Sequence, residues 1–76
     1  MIRKPSNKLI AAFSGLTEGE VGTYLCDVIQ EPNGDWLAYF GNEIERASVA
    51  CQKLTTAKTL TIPKEFANNW YDRGNG

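Results

Sequence analysis

Seventy-six residues leave room for one small domain and one core, and a chain of this size hides only about 60% of the surface that its unfolded form exposes. Apolar content of 42%, with 11% aromatic residues, marks a folded chain rather than a disordered one. A net charge of −1 speaks against a general phosphate-binding surface, and two cysteines without any histidine cannot complete a tetrahedral zinc site within one chain.

In chain order, residues 1–5 read as a loose basic arm ending at Pro5. Asn7 to Phe13 is too short for periodicity to separate a strand from a helical turn. Its apolar run, Leu9 to Phe13, is shorter than the core of a secretion signal, and no stretch approaches a membrane span, so the expectation is a cytoplasmic protein. Gly15, Gly19 and Gly22 then punctuate a loop around LTEGEVG.

The next segment supports two readings. Val21, Tyr24, Leu25, Val28 and Ile29 form a helical stripe, and Thr17 followed by Glu20 has the spacing of a capping box. Against a helix, Gly19 and Gly22 would each cost about 1 kcal/mol inside one, and Thr23 to Ile29 is rich in β-branched and aromatic residues. Glu31-Pro32-Asn33-Gly34 is a turn signal. The favoured reading is a hairpin, Thr23–Gln30 paired with Asp35–Phe40.

Asn42 and Glu45 have the spacing of a second capping box, and Ile44, Ala47, Cys51 and Leu54 line one face of the helix it would start. Lys58 to Ile62 alternates polar and apolar as a strand does. Pro63 suits the first turn of a last helix carrying Phe66 and Trp70, and residues 73–76 form a frayed tail. The expected fold is α+β: a small antiparallel sheet of three to four strands with two helices packed on one face, in one domain spanning residues 1–76. Cys26 and Cys51 sit among apolar neighbours and read as reduced, buried thiols.

No catalytic constellation is present. Without histidine, no Ser, Cys or Thr has its usual activating base, and no Ser-x-x-Lys spacing replaces it. Glu43 and Glu45 are two apart at a helix start, where they point in different directions and favour the helix dipole. The glycines at 15, 19 and 22 match neither a P-loop nor a dinucleotide fingerprint. The chain is expected to be no enzyme and to need no cofactor.

Charge is the informative feature. Between Thr17 and Glu45 lie Glu18, Glu20, Asp27, Glu31, Asp35, Glu43 and Glu45 with no Lys or Arg, whereas both flanking segments are basic. Such a block attracts a basic partner and speeds encounter with it. Trp36 or Tyr39, in the same stretch, would anchor the contact. The expected function is therefore a protein-binding module, with an acidic face over residues 18–45 meeting a basic protein surface. An inhibitor of a nucleic-acid-binding protein or nuclease, of phage or mobile-element type, would have this size and charge. Scattered carboxylates also commonly do no more than aid solubility and cap helices.

Two further readings stay open. The stretch KTLTIPKEF, Lys58 to Phe66, resembles the strand-to-helix TIPKE element of the swapped-hairpin (AbrB-type) transcription factors. That resemblance implies a dimeric DNA-binding regulator that uses the basic ends. It covers nine residues, and in that family the element lies near the N-terminus with a further glycine-containing hairpin after it. Direct nucleic-acid binding thus ranks below protein binding. A structural subunit, with a homodimer as its simplest form, is the third reading.

Overall fold

The computed structural model describes residues 4–41, 43–44 and 58–74. Two short helices open the chain, α1 (Asn7–Ser14) and α2 (Glu18–Tyr24). Three strands follow, β1 (Leu25–Gln30), β2 (Trp36–Phe40) and β3 (Thr59–Ile62), and helix α3 (Lys64–Asp72) comes last. The strands form one antiparallel sheet in the order β1-β2-β3. This is the expected α+β fold with a three-stranded antiparallel sheet, and the described residues hold three helices.

The boundaries follow from local chemistry. Ser6 caps α1 by accepting the Leu9 N–H at 3.2 Å, and Gly15, at φ 89°, takes the left-handed turn that ends it. The undecided Asn7 segment is thus a helix. Thr17 and Glu20 form the capping box expected of a helix start, with reciprocal bonds of 3.1 and 3.0 Å. Residues 18–24 are therefore helical, which corrects both the loop expected around LTEGEVG and the strand expected from Thr23. The β-branched and aromatic content of the segment takes over at Leu25, and the hairpin itself holds. The two readings of this stretch each describe one half of it.

Sheet register decides which side chains are buried. Val28, Ala38 and Leu60 lie across from one another, as do Trp36 and Ile62, and all five are buried. With Phe40 they join Leu9 and Ile10 of α1, Val21 of α2, Ala67 of α3 and Ile44 in one core cluster. Ile44 is fully buried in a short helical turn after β2. Asn42, Glu45, Ala47, Cys51 and Leu54, and with them the expected second capping box and helix stripe, lie outside the described residues.

The two ends of the described chain are tied together through Tyr71. The Ser6 N–H donates to the Tyr71 hydroxyl at 3.0 Å, and that hydroxyl donates to the Lys4 carbonyl at 3.1 Å. Pro5 is buried, so residues 4 and 5 are anchored to α3, and residues 1–3 of the expected loose arm lie outside the described residues. Phe13 of α1 meets Phe66 edge-on at 4.9 Å, and Phe66 stacks on Trp70 at 6.2 Å, as their i, i+4 spacing predicts. Pro63 precedes α3 as its cap residue, one position before the first turn where the sequence suggested it.

Candidate protein-binding surface

Strand alternation gives the sheet a second face. Across β1, β2 and β3 it carries two rows, Ile29–Leu37–Thr61 and Asp27–Tyr39–Thr59. Ile29 is 43% exposed and Tyr39 36%, and they are the exposed large hydrophobic residues among those described. They sit on neighbouring strands in diagonal positions, roughly 7–8 Å apart by sheet geometry. Asp27 is exposed directly across from Tyr39. The open face is thus an apolar and hydroxyl-bearing surface with one carboxylate on it.

The acidic residues fall into separate places. Glu18 is exposed in the first turn of α2, and Glu20 is held in the capping box. Glu31 and Asp35 lie at the hairpin turn, where Glu31 N–H donates to Asp35 O at 2.8 Å. Glu43 is exposed at the opposite end of the sheet, just after the Gly41 N–H that donates to Tyr24 O. Those two ends are on the order of 17 Å apart, five strand steps of about 3.4 Å. Glu45 lies outside the described residues. The described carboxylates are therefore divided among α2, the hairpin turn, β1 and the turn after β2 instead of merging into one patch.

Trp36 and Tyr39 divide the anchor role between core and surface. Trp36 is 8% exposed and belongs to the core cluster, which removes it as an outward anchor. Tyr39, an odd number of residues further along the strand, points the other way. Cys26 also differs from expectation. It is exposed and free at a bulge in β1 between Leu25 and Asp27, with its Sγ donating weakly to Tyr24 O at 3.7 Å. The bulge adds one residue to the strand and turns Cys26 outward.

A cleft of about 340 Å³ lies between the hairpin turn and α3, lined by Gln30, Glu31, Asn33, Trp36, Lys64 and Asn68 among others. Its polar groups largely satisfy one another. Lys64 Nζ donates to Asn33 O at 3.0 Å, Lys64 N–H to Asp35 Oδ1 at 2.9 Å, and Gln30 Nε2 to Gly34 O at 3.3 Å. The cleft is the seam that joins hairpin to helix, and it holds no paired nucleophile and base.

Sequence reasoning placed Asp27 and Tyr39 in the site but missed Ile29, Leu37, Thr59 and Thr61. The missing signal was the end of α2. Once Leu25 begins a strand, Val28 and Ile29 must face opposite ways, and the helical stripe that grouped them no longer applies.

Among the described residues, no group of three or more acidic or thiol side chains is placed to hold a metal ion, and no helix is long and apolar enough to cross a membrane. Comparison with protein-family models, curated protein sequences and solved structures finds no match for this chain.

Proposed function

We propose that this chain is a non-enzymatic protein-binding module whose open sheet face meets a partner surface rimmed by Lys and Arg. The observation that carries the reading is the placement of Ile29 and Tyr39 together on that face, with Asp27 beside them. Two neighbouring apolar side chains supply desolvation at the centre, and the exposed Asp27 carboxylate beside them selects a basic side chain on the partner. A partner that binds nucleic acid would offer such a rim, and occupying it would make the module an inhibitor.

Lys64 favours this reading over direct DNA binding. The KTLTIPKEF stretch does fold as a strand leading into a helix, with β3 ending at Ile62 and α3 starting at Lys64. Within it, however, the Lys64 ammonium is engaged by the Asn33 carbonyl and its backbone N–H by Asp35. A phosphate would have to compete with both.

The test is photo-crosslinking in cells. A photoreactive residue replaces Tyr39 in one version and the exposed Asn69 of α3 in another. The expected result is an adduct with a basic protein from position 39 alone, weakened by added salt and abolished by Ile29→Glu. Equal adducts from both positions, or none from position 39, would overturn the proposal.

A further inference from the structure

The edge of the sheet beside the open face has a definite hydrogen-bonding polarity. Residues 31 and 35 form a hydrogen-bonded pair, because the Glu31 N–H donates to Asp35 O. Such pairs alternate along an antiparallel ladder, so the next two are Ile29–Leu37 and Asp27–Tyr39. On the other side of β2, the Phe40 N–H donates to Lys58 O, as the same alternation requires. Val28 and Gln30 therefore direct their backbone N–H and C=O groups away from β2. Since β1 is an edge strand among the described residues, those groups face outward from the sheet.

Asp27 occupies one of them. Its Oδ1 accepts the Val28 N–H at 2.8 Å. Together with the bulge at Leu25/Asp27, this shields the edge from indiscriminate strand pairing. The shield is a single side chain with a negative charge, in a stretch of the sequence that contains no base.

We infer that the β1 edge accepts an extended segment of the partner protein as a fourth, antiparallel strand, and that Asp27 makes the acceptance conditional on a basic side chain. The inference rests on the protein-binding reading above and specifies its mode. An incoming strand would bond to Val28 and Gln30, which leaves Asp27 and Ile29 at the closer, non-hydrogen-bonded positions of the new ladder. Both side chains lie toward the open face. The residue opposite Ile29 is then apolar and extends the Ile29–Leu37 row. The residue opposite Asp27 is Lys or Arg, and it takes the carboxylate as the strand takes the Val28 N–H. Antiparallel direction fixes the order, so the recognised segment reads apolar, any residue, basic from N- to C-terminus. Strand addition of this kind obtains affinity from the main chain and specificity from alternate side chains.

The experiment uses the full chain labelled with ¹⁵N and three synthetic threonine-rich peptides. One carries the Val-x-Arg order, one has Glu in place of Arg, and one is the Arg peptide N-methylated at the intervening residue. The arginine peptide should slow amide hydrogen exchange at Val28 and Gln30 by about tenfold, as a new ladder bond does to an edge amide. The glutamate and N-methylated peptides should leave both amides unchanged. In Asp27→Asn, whose spectrum shows whether it folds, the arginine and glutamate peptides should act alike. Unchanged exchange at Val28 and Gln30 with millimolar arginine peptide overturns the inference, as does equal protection by the glutamate peptide in the unsubstituted chain. Should crosslinks from position 39 form while these amides stay unprotected, the partner docks on the face without adding a strand. The strand inference then falls and the binding module survives; without crosslinks, both fall.

Discussion

Asp35 caps a helix 29 residues away in the chain. Its Oδ1 accepts the Lys64 N–H, the first of α3, at 2.9 Å. Pro63, the local cap residue, has no side-chain acceptor, so the hairpin supplies one. The same Asp35 carboxylate receives the Asn33 amide at 3.2 Å through its other oxygen, and Lys64 Nζ returns to the Asn33 carbonyl. Hairpin turn and helix start thus form one hydrogen-bonded unit. Removing the carboxylate by Asp35→Ala should lower stability by about 1–2 kcal/mol, within the range of helix caps. In a domain this small that corresponds to a melting temperature lower by roughly 4–15 °C. Asp35→Asn keeps an acceptor oxygen and should lose less than half as much. Urea denaturation of both variants checks this, and equal losses would show that the cap acts through charge alone.

Glycine substitutions at three positions should separate by sign. Gly34 has φ 97°, and an added Cβ would come within 3.0 Å of Lys64 Cδ, beside the bond from Lys64 to Asn33. Gly34→Ala should therefore destabilise by about 1–2 kcal/mol through backbone strain and displacement of that lysine. Gly19 and Gly22 lie within α2, and their added Cβ atoms would find ordinary contacts at 3.9 and 3.8 Å. Alanine there should stabilise by about 0.5–1 kcal/mol each, because it improves helix propensity without a clash. Thermal melts of the three single variants give the comparison. A loss at Gly22 would mean that its closeness to the Asn7 amide is tighter than it looks.

These glycines also show where the sequence misled. Their helix penalty is real, yet two of them sit in a helix because the Thr17–Glu20 box and the burial of Val21 outweigh it. Periodicity over residues 21–29 mixed the two elements that meet at Leu25, and no local rule marks that junction. The hairpin was legible since Pro32, Asn33 and Gly34 encode their turn locally. So was α3, from Pro63 and the Phe66–Trp70 spacing. What the sequence could not convey was contact across long separations. The Asp35 cap on α3 and the Tyr71 hydroxyl between Ser6 and Lys4 depend on how elements dock. For the same reason the acidic block read as one face, though folding divides its described members among α2, the hairpin turn, β1 and the turn after β2.

Tyr71→Phe tests the tether between the two ends. The hydroxyl accepts from Ser6 N–H and donates to Lys4 O, and both bonds vanish in phenylalanine. The Ser6 N–H is part-buried, so its lost partner is only partly replaced by water. The expected cost is about 1–2 kcal/mol, with faster amide exchange at Ser6 and little change in β1 or β2. Exchange that accelerates evenly across the sheet would contradict a local tether.

Neighbouring positions on β1 provide the sharpest check on the register that underlies the proposed binding surface. Val28 is 6% exposed and faces the core cluster, whereas Ile29 is 43% exposed and faces outward. Val28→Ala removes two methyl groups from a packed interior and should cost about 2 kcal/mol, combining lost transfer energy with the cavity left behind. Ile29→Ala removes more carbon but from a surface already wet, and should cost roughly 0.5–1 kcal/mol, mostly through strand propensity. A shift of one residue in the strand would exchange these values, since it carries every side chain to the opposite face. Urea midpoints of the two variants therefore report the register directly. If Ile29→Ala is the more damaging substitution, the open face is in truth a buried one, and neither Tyr39 nor the β1 edge is available to a partner.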